Sequence, residues 1–281
     1  MLFGAHISAA GGVFNAPINA AKQNCECFQF FSRPPQGGKA PELTPEIVKQ
    51  FKDNCKKYNF KDYYIHTPYF INFASAKSRI KHSSISIVRQ ELERGSTLGC
   101  KYIMTHLGSA KDLGEAKGQK QTIEGLIEVL KGYKGSTGLL LENSAGSGQI
   151  IGDDFAELGK IISGILKRLP SAKVGICLDT CHAFASGYDW SNKKAVNSTL
   201  KEFDKYIKLK YLKLLHLNDS LTELNSKRDR HAHLGKGKIG KKGFQEIACH
   251  PKLKNINAIL ETPTEEGRKQ DLKLLKTARD K

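Results

Sequence analysis

Long apolar runs are missing from this chain. Its most hydrophobic segments, such as Val174 to Leu178 and Leu212 to Leu217, fall far short of the ~20 residues a membrane span needs. The first ten residues show no basic segment followed by an apolar stretch, so no secretory signal is read and an intracellular protein is expected. Cysteine is sparse and scattered: the seven thiols, Cys25, Cys27, Cys55, Cys100, Cys177, Cys181 and Cys249, are odd in number and include no C-x₂-C pair. That argues against a disulfide framework and a zinc knuckle, and for reduced, mostly buried thiols. No low-complexity tract or disordered tail is evident. Acidic residues are in deficit, 28 against 45 Lys and Arg, which leaves a net charge of +17. Such a surface attracts polyanions, nucleic acid first and an acidic membrane surface second.

What is present is a recurring pattern. Short β-branched, apolar or aromatic runs appear at Leu2 to Ile7, Cys27 to Phe31, Tyr63 to Ile65, Tyr102 to Thr105, Leu139 to Leu141, Val174 to Leu178, Tyr211 to Leu215 and Ala258 to Leu260. Several are continuously apolar, as parallel strands covered on both faces are. Between them lie helical stripes. Thr44-Pro45-Glu46 reads as an N-cap, a proline at the first helical position and a first-turn acid, followed by Ile47, Val48, Phe51 and Cys55 on one face. Ile123, Leu126, Ile127 and Leu130 form a second stripe; Phe155, Leu158, Ile161, Ile162, Ile165 and Leu166 form a third. Weaker helical patterns cover Lys201 to Lys208, Phe244 to Cys249 and Gln270 to Thr277.

Eight strand–helix repeats predict a single-domain α/β protein over residues 1–281, a (β/α)₈ TIM barrel. The alternative, a doubly wound open sheet, lacks a G-x-G-x-x-G turn after its first strand.

The ends of these runs carry the chemistry. His66, His106, Glu142, Asp179, His216 and Glu261 each follow a strand directly. In a parallel barrel all strand ends share one face, so these residues converge there from across the chain. His182, three residues after Asp179, and the Asp229-x-His231 pair add three candidates from loops. Taken singly, any of these is more often a hydrogen-bonded structural residue or a helix cap. Together they form a nitrogen and oxygen donor set suited to Zn²⁺, large enough for two or three ions sharing carboxylates. His6 also ends a strand and is assigned a supporting hydrogen-bond role, whereas His82, His233 and His250 are left as ordinary histidines.

The segments GAHISAAGG, LENSAGSG, LDTCHAFASGYD, HLNDS, DRHAHLGKGKIG and ILET, in this order from end to end, resemble the endonuclease IV family of apurinic/apyrimidinic endonucleases. The resemblance implies a (β/α)₈ barrel with three zinc ions, Mn²⁺ serving as a substitute, that nicks damaged duplex DNA on the 5′ side of an abasic site. It places one zinc on His66, His106 and Glu142. A second would share Glu142 with Asp179, His216 and Glu261, and a third would sit on His182, Asp229 and His231. Glu142 and Glu261 are then the expected catalytic carboxylates, and a 3′-repair diesterase activity is an expected companion. A monomer, cytoplasmic and drawn to the nucleoid through DNA, or nuclear in a eukaryote, fits this reading.

One loop departs from the family pattern. Ser32-Arg33-Pro34-Pro35-Gln36-Gly37-Gly38 has Gln36 where the family offers an arginine to the lesion, and Arg33 or Lys39 is expected to supply that charge. Tyr69 and Phe70 are expected as wedges that fill the space of a missing base. Lys236 and Lys238, in a glycine-rich turn, are expected phosphate contacts. The rival reading is a TIM-barrel metal-dependent sugar isomerase or epimerase, which would need neither the high positive charge nor the loop ligands. A DNA-binding protein that merely holds metal would not need six ligands at strand ends.

Overall fold

The computed structural model describes residues 1–281. The chain runs β1 (Phe3–Ile7), α1 (Asn15–Lys22), β2 (Cys27–Phe30), α2 (Pro45–Lys57), β3 (Tyr63–His66), α3 (Ser78–Leu98), β4 (Tyr102–Thr105), α4 (Glu115–Leu130), β5 (Gly138–Glu142) and α5 (Phe155–Arg168). It continues through β6 (Val174–Asp179), α6 (Thr180–Ala185), α7 (Lys193–Tyr206), β7 (Leu212–His216), β8 (Asp219–Ser220), β9 (His231–Ala232), α8 (Gly240–Cys249), β10 (Asn257–Leu260) and α9 (Glu265–Arg279). Eight strands pair in parallel and close on themselves in the order β1-β10-β7-β6-β5-β4-β3-β2. The expected TIM barrel is the fold. No helix is long and apolar enough to cross a membrane.

Each expected strand lies where the apolar runs placed it, with ends shifted by a residue or so. Helix starts follow local chemistry: Thr44 Oγ1 accepts the Ile47 N–H, with Pro45 as the first helical residue, and Asp154 caps α5 through the Glu157 N–H. The helices α1 and α3 lie where no stripe was read, and two shorter features also have no counterpart in the apolar pattern. One is the six-residue α6; the other is the small antiparallel β8–β9 pair, built inside the connection after β7. Both are too short to produce a periodic hydrophobic signal, and both carry candidate site side chains.

The core has two layers. A large apolar shell lies between strands and helices, and includes Leu139, Leu141, Ile176, Leu178 and Leu215. The barrel interior is a separate small cluster of Cys27, Tyr64, Met104, Leu140, Cys177, Leu214 and Ile259. Because strand side chains alternate between faces, the residue two positions after each interior member also points inward, one layer nearer the C-terminal rim. Those residues are Gln29, His66, His106, Glu142, Asp179, His216 and Glu261. The polar layer at the top of the barrel is thus a consequence of strand periodicity. The thiols are all free; five are buried, Cys25 is half-buried and Cys249 is exposed.

Candidate metal centre

The nine residues expected as ligands assemble into three groups whose donor atoms lie within 4.8 Å of one another: His66, His106 and Glu142; Glu142, Asp179, His216 and Glu261; and His182, Asp229 and His231. Glu142 joins the first two. Its Oε2 is 3.1 Å from His66 Nε2 and 3.6 Å from His106 Nε2, while Oε1 is 2.8 Å from His216 Nδ1. Ligand bonds of about 2.0–2.1 Å around a tetrahedral ion place neighbouring donors roughly 3.3 Å apart, so this spacing fits zinc. The third group is equally close, with Asp229 Oδ2 3.2 Å from His182 Nε2 and Oδ1 3.1 Å from His231 Nε2. His231 Nε2 is buried and makes no hydrogen bond despite that proximity, as expected of a lone pair directed toward a cation.

Backbone acceptors set the ring orientations. His66 Nδ1–H donates to Thr67 O at 2.6 Å, His182 Nδ1–H to Asn143 O at 2.9 Å, and His231 Nδ1–H to Glu261 O at 3.3 Å. A carbonyl can only accept, so each proton sits on Nδ1 and each Nε2 faces the carboxylates.

Burial by itself pushes the Glu142 carboxyl up, yet the imidazoles of His106, His216 and His66 packed against it hold it well below the usual carboxylate range. Glu261 is held low in the same way, chiefly by His216 against the cost of burial. Burial opposes a charged His231, but the adjacent carboxylates of Asp229 and Asp179 raise its pKa to about 9. Four carboxylates packed this tightly call for concentrated positive charge. Cys181 Sγ also comes within 3.9 Å of Asp229 Oδ1 and forms a further close group with Asp179 and His231, while burial pushes its thiol pKa up.

The local sequence explains how the groups are placed. Asp179 ends β6 and caps α6, accepting the His182 N–H on Oδ1 at 2.8 Å; that single turn swings His182 over the cluster. Asn143 ties β5 to β6: its Oδ1 accepts the Asp179 N–H at 2.7 Å and its Nδ2 donates to Asp179 O. Asn218 donates from Nδ2 to Asp179 Oδ2 at 2.6 Å and accepts the Glu261 N–H at 2.8 Å. These carboxamides, with Gln29, carry no signal as metal ligands and so were not foreseen. The two-residue spacing from Cys27 would have found Gln29.

Asp219, fully buried, was also missed. Its carboxylate accepts N–H bonds from Ser220, Gly235, Gly237 and Ile239 at 2.8–3.0 Å and so shapes the turn that carries Lys236 and Lys238. A Cβ on Gly237 would stand 2.3 Å from Ser220 O, so only glycine fits. Asp219→Ala, which strands these donors, is expected to cost about 3 kcal/mol, read by urea unfolding; an unchanged midpoint would refute the role.

The residues expected at the DNA divide. Tyr69 and Phe70 are exposed by 61% and 43% and project from the β3–α3 loop, with the Tyr69 ring 5.9 Å from the His66 ring. Gln36, Lys39, Lys236 and Lys238 are exposed, although Lys238 pairs with Glu223. Arg33 is a correction. Its guanidinium turns inward, 2.7 Å from Glu91 and bonded to Gln90, because α3 presents a buried carboxylate that needs a partner. Among the other histidines, His6 accepts from Gln29 as a supporting residue, and His233 is held by Asp271 and Thr264 away from the ligand groups.

Residues 18–278 match the xylose isomerase-like TIM barrel family. The chain is 40% identical to a probable endonuclease 4 of Halothermothrix orenii over 279 residues, 99% of both chains. Against a probable endonuclease 4 of Nitrosopumilus maritimus it is again 40% identical, over 95% of each. The chain belongs to the endonuclease IV family. The crystal structure of endonuclease IV from Thermus thermophilus superposes with a TM-score of 0.88 at 30% identity, covering 100% of this chain and 99% of that one. A D-tagatose 3-epimerase-like protein reaches 0.74 at 18% identity, which shows a shared barrel only. Membership in the endonuclease IV family makes the chain a phosphodiester hydrolase, and its grouped acids and histidines are candidate metal-binding residues.

Proposed function

We propose that this endonuclease IV family member is a zinc-dependent DNA-repair enzyme that hydrolyses the phosphodiester 5′ to an abasic site in duplex DNA. The products are a 3′-hydroxyl and a 5′-deoxyribose phosphate, and blocked 3′ ends are further substrates. The observation that carries the reading is the set of three adjoining donor groups, two of them joined by Glu142, at the open end of the barrel. Nitrogen and oxygen donors without a thiolate suit zinc, with Mn²⁺ as a substitute. Zinc held there would supply charge neutralisation at the phosphoryl oxygens and make a water molecule more acidic at neutral pH.

The protein's own residues do the rest. Glu142 and Glu261 are the catalytic carboxylates that fix the donor arrangement around the reacting phosphate. Tyr69 and Phe70 stand at the rim, where they can occupy the gap left by a missing base. The turn shaped by Asp219 brings Lys236, Lys238 and backbone amides toward phosphates. Discrimination follows from DNA mechanics, since an abasic nucleotide has less stacking to lose when the duplex bends and the sugar swings out. The net charge of +17 supports association with DNA as a monomer, and predicts that binding weakens with salt.

The sugar-epimerase reading shares the barrel, but leaves the His182, Asp229 and His231 group and the exposed aromatic rim without a use. A plasmid assay separates the two. Abasic supercoiled DNA is expected to be nicked and intact plasmid left whole, with activity lost on prolonged chelation and restored by zinc; equal nicking of both, or none with zinc replete, refutes the proposal. Tyr69→Ala combined with Phe70→Ala is expected to reduce kcat/KM on abasic duplex by about 10–100-fold, as lost stacking of ~1–3 kcal/mol implies, with zinc content unchanged in metal analysis.

A further inference from the structure

His216 differs from the other oriented histidines of the centre. His66, His182 and His231 hand their Nδ1 protons to backbone carbonyls, which no substitution at the acceptor residue removes. His216 relies on a side chain. Its Nε2 lies 2.8 Å from Gln29 Oε1, and its Nδ1 faces Glu142 at 2.8 Å and Glu261 at 3.3 Å.

The direction of that bond is determined by the rest of the carboxamide. Gln29 Nε2 is 2.7 Å from Glu261 Oε1 and 2.9 Å from His6 Nδ1. An ionised carboxylate only accepts, so the Gln29 amide nitrogen must face Glu261, and its oxygen must face His216. His216 therefore carries its proton on Nε2 and presents Nδ1 to the cluster, the reverse of His66, His182 and His231. Both hydrogens of the Gln29 amide are used, the second on His6, and the residue is fully buried. Gln29 lies on β2, a strand that contributes none of the nine expected ligands, and reaches the centre because it is two residues beyond the interior Cys27.

We propose that Gln29 is a positioning residue for the metal centre, whose carboxamide selects the tautomer of His216 and holds Glu261 and His6 in register beside it. The inference rests on the reading of the cluster as a zinc centre. It assigns to β2 a part in metal retention that the ligand groups alone would not suggest.

The test uses the full chain loaded with zinc. In ¹H–¹⁵N spectra of the wild type, His216 should be protonated on Nε2, with that proton protected from solvent exchange, while His66, His182 and His231 are protonated on Nδ1. Gln29→Met keeps the shape but has no amide. It should lose zinc at a chelator concentration about 10–100-fold lower than the wild type, the usual effect of removing a partner behind a ligand, and its His216 Nε2 proton should exchange freely. Gln29→Leu provides the same readings if the methionine variant folds poorly. Zinc retention equal to wild type with a protected Nε2 proton overturns the proposal, as does a wild-type His216 protonated on Nδ1. The wild-type spectrum needs no variant and so remains decisive even if both substitutions unfold the barrel. A wild type that binds no zinc would refute the metal reading, and with it the part of Gln29 in metal retention.

Discussion

Glu142→Gln is expected to lower the rate of nicking at abasic sites on the order of 10³-fold, the scale on which removal of a preorganised charge-stabilising group acts. The carboxylate is fully buried and divided between two ligand groups, Oε2 toward His66 and His106, Oε1 toward His216. Glutamine preserves the shape, so the barrel should fold. It removes the negative charge and turns an amide N–H₂ toward imidazole nitrogens that should face a cation. Metal content should fall in both groups that Glu142 joins, while the His182, Asp229 and His231 group, in which it is not a member, should be less affected. Single-turnover cleavage under zinc-replete conditions, paired with metal analysis, checks both parts. Near-wild-type cleavage with full metal content would show that the shared carboxylate is not the centre's link.

Glu91→Ala should destabilise the fold by about 3–5 kcal/mol, the cost of leaving a buried charge without its partner. Glu91 Oε1 is 2.7 Å from Arg33 Nε and 3.6 Å from Arg94 Nε, and Oε2 accepts the Ser32 hydroxyl at 2.6 Å; the Arg33 and Glu91 side chains are 5% and 0% exposed. Without Glu91 two guanidiniums would face each other beneath the β2–α2 loop. Guanidinium chloride unfolding measures the loss. Arg33→Met together with Glu91→Leu should recover part of it, since the apolar pair needs no compensation while Arg94 keeps only its bonds to Ser32 and Pro41. The double variant should keep the wild-type salt dependence of DNA binding, because an inward-facing Arg33 neutralises no phosphate. A shallower slope would return Arg33 to the DNA surface. With Arg33 inside, the exposed positive charge left on this loop is Lys39, beside Gln36.

Some of this was legible in the chain and some was not. The eight apolar runs and their terminal acids and histidines were readable because strand periodicity is local: a residue two positions past Tyr64 or Leu140 must share its face wherever the strand lies. That His66, His106, Glu142, Asp179, His216 and Glu261 converge follows once the strands are parallel, since their C-terminal ends then meet; the division into three groups, with His182, Asp229 and His231 from loops, came from the family resemblance. Arg33 was misassigned because a basic residue in a loop has no local signal for direction; its orientation depends on Glu91, 58 residues away on α3. Asn143, Asn218 and Asp219 were passed over because carboxamides and acids beside strand ends are common, and only their partners reveal a role.

By itself, then, the sequence determined the barrel, the face that carries the site and six of the nine acids and histidines gathered there, which depend on alternation, spacing and residue type; the loop residues His182, Asp229 and His231 were read from residue type and resemblance. The tertiary structure alone decided which nitrogen each of the oriented histidines presents, which carboxamides stand behind the cluster, and whether a charged side chain faces solvent or the protein interior. Those outcomes depend on distances of about 3 Å between residues far apart in the chain, the range over which hydrogen bonds and ligand shells form and on which local patterning carries no information.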